Sequence, residues 1–269
     1  MLVELALLLV KMVFTAGVVV TASLVAERSG PLAGGLIIAL PISAGPGLLF
    51  LALQSSDTFL ANTALYSLAM TAATVSFLLV YPRLAVRHGA VVSIGATLLV
   101  WSALGLVLER LPITLPLALA LNLAAFSAVF LLPRPPGLKR PPRPARVDRR
   151  ELLGRAAIAG TVVATVVTIS AIIGSRATGI LIVFPVAFTS IAFIMHRRHG
   201  GGPAAATLLA SAVGMTGFVC FLTALHLLAE PLGGLAALGA ALIVNLLASA
   251  AIALVAVRRP AAPLKGATP

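Results

Sequence analysis

The sequence predicts an all-α integral membrane protein of about nine transmembrane helices, arranged as a 4+1+4 inverted-topology repeat. Three observations carry this: a composition too apolar for water, apolar runs of spanning length, and short motifs recurring at a nearly constant offset. Of 269 residues, 60% are hydrophobic and 10% charged, with a mean hydropathy of +1.13. A soluble domain carries roughly 25% charged residues, so a water-soluble globular fold is excluded. A disordered chain is excluded as well, because such chains are poor in apolar residues. The single cysteine, Cys220, has no intramolecular disulfide partner.

A spanning helix needs about 20 mainly apolar residues. With charges, prolines and glycines as boundaries, the spans fall at Leu2–Ala26, Leu32–Leu53, Thr58–Tyr81, Ala90–Leu108, Ile113–Leu132, Leu152–Gly174, Thr178–Met195, Ala204–Ala229 and Leu232–Val257. The first span opens Met-Leu-Val-Glu, with an acid and no base, and its apolar run is long. A signal peptide has a basic start and a shorter core, so the expectation is a retained helix.

Lys and Arg set the orientation. Nine spans place 16 of the 19 basic residues on one side, including Arg83, Arg87, the run from Arg134 to Arg155, Arg197 and Arg198. The other side carries Arg110 and Arg176, while Lys11 lies inside the first span. The expected arrangement is a multi-pass protein of a bacterial inner (plasma) membrane, N-terminus outside and C-terminus cytoplasmic.

The two halves repeat. Thr21-Ala-Ser23 matches Thr168-Ile-Ser170, and Gly35-Leu-Ile-Ile-Ala-Leu-Pro41 matches Gly179-Ile-Leu-Ile-Val-Phe-Pro185. Met70-Thr71 matches Met215-Thr216, and Gly95-Ala96 matches Gly239-Ala240, at offsets of 147, 144, 145 and 144. The expected units are a first four-helix repeat (1–109), a linker helix with a Pro/Arg-rich cytoplasmic loop (110–150), a second repeat (151–260) and a tail (261–269). An odd number of helices between the units inverts the second, an arrangement characteristic of secondary transporters.

Span two carries Pro41-Ile-Ser-Ala-Gly-Pro46, and span seven carries Pro185-Val-Ala-Phe-Thr-Ser190. Proline removes a helix hydrogen bond and clashes with the preceding turn. Interrupted helices at matching positions of two halves point to a binding site. New helix starts there suit an anionic group. The expected substrate path comprises Lys11, Pro41, Ser43, Gly45, Pro46, Pro185, Thr189 and Ser190; the alternative is a pair of packed kinks. Lys11 lies about 13 Å into its span, where a cation is costly and marks a functional site by default. Snorkelling to the outer face is the competing reading. The interiors of the spans carry no carboxylate, which argues against a cationic substrate.

The stretch from Pro133 to Arg150 holds six prolines and is expected to be extended. Its bases (Arg134, Lys139, Arg140, Arg143, Arg146, Arg149 and Arg150) are expected to meet anionic headgroups of the bilayer. No aromatic interleaving accompanies them, so nucleic acid is not an expected partner. Asn122 and Asn245 read as interhelical glue. There is no metalloprotease, phosphate-loop or serine-hydrolase motif, and no cofactor or metal site is expected, so the chain does not read as an enzyme.

The run Gly179-Ile-Leu-Ile-Val-Phe-Pro-Val-Ala-Phe, and its second copy Gly34-Gly-Leu-Ile-Ile-Ala-Leu-Pro41, resemble the small bacterial inner-membrane proteins called GlpM-like. The likeness covers about 50 residues per half. It implies a fused double version of an envelope protein family linked by name to alginate-type polysaccharide production, with no catalytic residues to carry over. Two functional expectations stand. One is a transporter or flippase-like protein for a small anionic or amphipathic solute. The other is a non-transporting membrane subunit or scaffold in envelope biogenesis, with a homo-oligomer or a membrane partner as company.

Overall fold

In a computed structural model the described residues are 2–28, 41–138 and 148–258. Every regular element among them is a helix: α1 (Leu2–Arg28), α2 (Gly45–Gln54), α3 (Asp57–Ala85), α4 (Ala90–Arg110), α5 (Leu115–Leu131), α6 (Arg149–Ile182), α7 (Val186–His199), α8 (Gly201–Ala210), α9 (Ala212–Leu232) and α10 (Gly234–Arg258). Among the described residues five segments are long and apolar enough to cross a membrane: Asp57–Ala85, Ala90–Arg110, Arg149–His199, Gly201–Leu232 and Gly234–Ile252. Shorter apolar helices cover Ala6–Ala22, Gly45–Gln54 and Leu115–Leu131. The chain is therefore an all-helical protein with the apolar segments of a multi-pass membrane protein.

Local chemistry explains where the helices begin and end. Ser56 caps α3, its hydroxyl accepting from the Phe59 N–H at 3.2 Å. Asp148 caps α6, its carboxylate accepting from the Arg150 N–H at 3.0 Å. Each satisfies one of the orphan donors of a helix start. Gly200 and Gly233 take φ of +83° and +81° at the α7–α8 and α9–α10 junctions, a region open to glycine because it has no Cβ.

Three of the expected spans, the sixth, seventh and eighth, differ from the sequence expectation. The segment Arg149–His199 is 51 residues long and holds both the sixth and the seventh expected span. It turns at Gly174 (φ 77°, ψ 170°) and breaks again between Ile182 and Val186. The eighth expected span begins earlier, at Gly201, and is interrupted locally at Ser211, whose hydroxyl bonds back to the Thr207 carbonyl at 3.2 Å. Such back-bonding competes with the helix ladder. The part of the second span before Pro41, and the first copy of its glycine–proline motif up to Leu40, lie outside the described residues.

Helix α3 is the axis of the bundle. It packs against α4, α5, α6, α8 and α9, and most residues from Leu60 to Leu78 are buried. A helix that is apolar all round must be enclosed, and this one is enclosed by its neighbours. The outer helices do the reverse: Val91 and Leu99 of α4, Leu123 and Leu131 of α5, and Ile243 and Leu247 of α10 are exposed. Apolar surface of that extent suits contact with lipid.

Polar contacts stitch the layers. The Asn122 side chain donates to the Leu68 carbonyl of α3 at 2.8 Å and to the Ala118 carbonyl of its own helix at 2.9 Å, the interhelical bond expected of it. His226 of α9 hydrogen-bonds the Ala61 carbonyl at 2.9 Å. Asp57, first residue of α3, accepts from the Gly234 N–H at the start of α10 at 2.7 Å.

Charge segregates to one end. Arg83 donates to the Pro133 carbonyl at 3.3 Å, and Arg198 pairs with Glu151 at 2.6 Å and Asp148 at 3.6 Å. Gly201 lies against the Ala85 carbonyl. These contacts gather the ends of α3, α5 and α7 with the starts of α6 and α8, bringing Arg83, Arg87, Arg134, Arg149, Arg150, Arg197 and Arg198 to the same end.

Candidate functional site: two helix breaks that meet

What is described of the first break is a single turn. Residues 42–44 form that turn, Gly45 N–H donates to the Pro41 carbonyl at 2.6 Å, and α2 starts with Pro46 in its first turn. Proline is preorganised there and its missing donor is one that a helix start leaves unused. The second break is longer. After Gly174 a short helical stretch, 175–182, ends at Val183; Phe184 N–H then donates to the Leu181 carbonyl at 3.1 Å and Val186 N–H to Phe184 at 2.7 Å. Pro185, with ψ of 54°, caps α7, and Thr189 N–H returns to its carbonyl at 2.9 Å. The structure thus makes span seven a broken helix rather than a kinked one.

Tertiary packing brings these breaks together. Ile42 from the first and Phe184 and Val186 from the second share one apolar cluster with Ala16 and Val19 of α1 and Ala156 and Ala159 of α6. A Cβ on Gly47, in the first turn of α2, would lie 2.7 Å from Ile182 and 3.2 Å from Val163. The α1 and α6 backbones also approach each other closely: a Cβ on Gly160 would lie 2.7 Å from the Met12 carbonyl oxygen. The small residues Gly47 and Gly160 permit these approaches.

Lys11 lies next to that crossing. Val10 and Val13 on either side are exposed, whereas Lys11 is half-buried and Thr15, one turn on, is fully buried. Lys11 therefore lies at the edge between the exposed and the packed face of α1. Among the described residues it makes no hydrogen bond or ion pair, and the side chain of Glu4, its nearest acid in sequence, lies outside them.

The hydroxyls divide into spent and unspent. Ser190 donates to the Val186 carbonyl of its own helix at 2.7 Å. The Thr189 and Thr15 hydroxyls are buried and have no partner among the described residues. Ser43 is half-buried in the first break. Pro41, Pro46 and Pro185 are buried and Gly45 is half-buried. Two helix starts, α2 and α7, thus pack beside the α1–α6 pair, with Lys11 and Thr15 on α1 and Thr189 in the first turn of α7. First-turn N–H groups and the positive dipole end favour an anionic group.

What the motif reading missed is how the 175–182 stretch is held. The Ser67 hydroxyl of α3 donates to the Gly179 carbonyl at 2.9 Å, and Thr63 donates to Ser175 at 3.5 Å. Gly179 has no room for a side chain: a Cβ would fall on the Thr63 carbonyl and lie 2.9 Å from Tyr66 Cβ. Trp101 of α4 donates to the Thr74 hydroxyl at 3.1 Å and meets Phe184 edge to face at 5.4 Å. The Arg176 guanidinium lies 5.5 Å over the Tyr66 ring, a cation–π contact. A signal for this was present, since Thr63, Ser67, Thr71 and Thr74 recur at helical spacing along one face of an otherwise apolar span.

Of the residues expected at anionic headgroups, Arg134, Arg149 and Arg150 are exposed at the basic end. Lys139, Arg140, Arg143 and Arg146 lie outside the described residues. No group of three or more His, Cys, Asp or Glu side chains able to hold a metal occurs among the described residues. No protein-family model matches the chain, and no match was found among curated proteins or solved structures.

Proposed function

We propose that this chain is an inner-membrane transporter or flippase-like protein for a small anionic or amphipathic solute, with the path where the two helix breaks meet. The carrying observation is the shared cluster of Ile42, Phe184 and Val186 between α6 and α1, the helix that also carries Lys11. Helices broken at matching positions, with their starts turned to one place, are the arrangement in which carriers hold an anionic group. Reciprocal packing supports two inverted four-span repeats: α2 lies on α10 as α4 lies on α7, while α1 pairs with α6 and α3 with α8 and α9. Exchanging the first four spans for the last four maps these contacts onto one another. In this reading nine spans cross a bacterial inner membrane, with the basic end cytoplasmic and each half a copy of a GlpM-like unit.

A second reading is favoured by one observation. The breaks are closely packed, with Gly47 against Ile182. An occluded carrier presents that packing in one of its states; a scaffold in envelope biogenesis keeps it permanently.

The test is a thermal-shift screen of the detergent-purified chain against organic anions, lipids and saccharide precursors, with neutral and cationic controls and Lys11→Ala alongside. A compound at 100 times its Kd stabilises the fold by about 2.7 kcal/mol. Transport predicts an anionic hit that Lys11→Ala loses while its ligand-free melting is unchanged. A hit that Lys11→Ala retains removes Lys11 from the path. No anion-selective hit leaves the scaffold reading in its place.

A further inference from the structure

At the basic end, away from the breaks, an open groove of about 410 Å³ is lined by Arg83, Val86, Arg87 and Arg134 together with Pro133, Pro135 and Pro136. Its volume lies in the range of small-molecule sites. From this groove we infer a discrete binding site for the phosphate group of an anionic lipid.

Its chemistry is that of a phosphate cradle. Arg83 is oriented by two backbone carbonyls, donating to Leu79 at 2.7 Å and to Pro133 at 3.3 Å. Those bonds also tie the end of α3 to the segment that follows α5. They leave part of the guanidinium fork, with its five N–H donors, to face a ligand. Arg87, in the turn that follows α3, and Arg134, from the extended segment, line the same groove. No carboxylate among the described residues pairs with any of the three; Asp148 and Glu151 both pair with Arg198. Three such guanidiniums around one groove suit a tetrahedral oxyanion, which arginine binds through paired N–H donors. Gly137, at φ +86°, turns the chain so that it lies against Val86, closing one side.

The surroundings favour a phosphate carried on a lipid. The groove abuts the last turn of α5, where Phe130, Leu131 and Leu132 are 59%, 82% and 47% exposed. Acyl chains can lie along that strip while the headgroup enters between the arginines. The site goes beyond a general attraction of basic loops for an anionic surface, because it requires these three side chains and not the other bases of the same end.

The experiment uses the full chain in neutral detergent. Thermal unfolding is followed while dioleoylphosphatidylglycerol, dioleoylphosphatidylcholine, glycerol 3-phosphate or inorganic phosphate is titrated in. The wild type should be stabilised saturably by phosphatidylglycerol, at concentrations at least tenfold below those needed for phosphatidylcholine. Arg87→Gln/Arg134→Gln should raise the half-saturating concentration about tenfold or more. Arg197→Gln, at the same end but outside the groove, should leave it unchanged. The Arg87 and Arg134 side chains make no bond to the described residues, so ligand-free melting should be that of the wild type. Should the double variant melt lower, Arg134→Gln alone, on the extended segment, carries the comparison. Stabilisation by glycerol 3-phosphate equal to that by the lipid supports the site and assigns it to a free phosphate ester. Absence of saturable stabilisation by any phosphate, or equal weakening by Arg197→Gln, overturns the site. These outcomes are independent of the Lys11→Ala screen.

Discussion

Replacing Gly179 by alanine tests the central packing argument, because the added methyl group has nowhere to go. It would fall on the Thr63 carbonyl oxygen and lie 2.9 Å from Tyr66 Cβ and 3.1 Å from Ser67 N. All three atoms belong to the α3 backbone or are fixed to it, so no rotamer change relieves the clash. Ordinary carbon contacts of about 3.5–4.0 Å return only if the 175–182 stretch backs away from α3 by roughly 1 Å. That displacement breaks the 2.9 Å bond from the Ser67 hydroxyl to the Gly179 carbonyl. Overpacking of this kind costs about 1–3 kcal/mol, and an interhelical hydrogen bond in a membrane protein adds about 0.6 kcal/mol. Alanine recovers about 1 kcal/mol of helix propensity over glycine. The net expectation is a loss of about 0.6–2.6 kcal/mol, which lowers Tm by roughly 1–10 °C for a chain of this size.

The assay is thermal unfolding of the purified variant, read from intrinsic fluorescence. Trp101 is the only tryptophan and touches Phe184, so its emission reports on the same region. Gly95→Ala and Gly239→Ala are the controls, since a Cβ at either position meets open space. They should hold or raise Tm. A Gly179→Ala protein that melts no lower than Gly95→Ala would refute the packing account, and with it the placement of 175–182 against α3.

Other expectations follow from the ends of the bundle. Asp57→Ala removes the acceptor that caps α10 through Gly234 and should cost about 1 kcal/mol, while Asp57→Asn keeps an acceptor and should cost less; equal melting of both variants and wild type would exclude the cap. In a Cys220→Ala background, cysteine at Glu109 should label from outside intact cells and cysteine at His88 only after permeabilisation, both positions being exposed at opposite ends of α4. The reverse labelling would invert the proposed topology.

Composition and pattern already contained the solvent and much of the secondary structure. Apolar runs of spanning length had to become helices, because in a bilayer only helices and closed barrels satisfy the backbone internally. The starts and ends of α3, α4 and α5 fall within a few residues of the expected spans for that reason. Pro41, Pro46 and Pro185 marked the breaks because proline acts locally, through a missing N–H and a steric clash. The role of Asn122 was also legible, since an amide in an apolar span has few alternatives to a neighbouring helix.

The turn at Gly174 was less legible. Glycine permits positive φ without requiring it, and at Gly95 and Gly239 the same residue simply continues a helix. The meeting of the two breaks was not legible at all. It depends on Ile42, Phe184, Val186 and the α1–α6 crossing, residues far apart in sequence whose contact arises from packing alone. Likewise the arginines counted along the loops became a groove only when Arg83 was tied to Pro133. The sequence by itself determined that the chain is helical and apolar, where its proline breaks fall and how its charge is distributed, because these follow from local backbone chemistry and solvent. The tertiary structure alone decided which breaks, cations and hydroxyls stand together, because close packing selects among arrangements that the apolar pattern leaves equivalent.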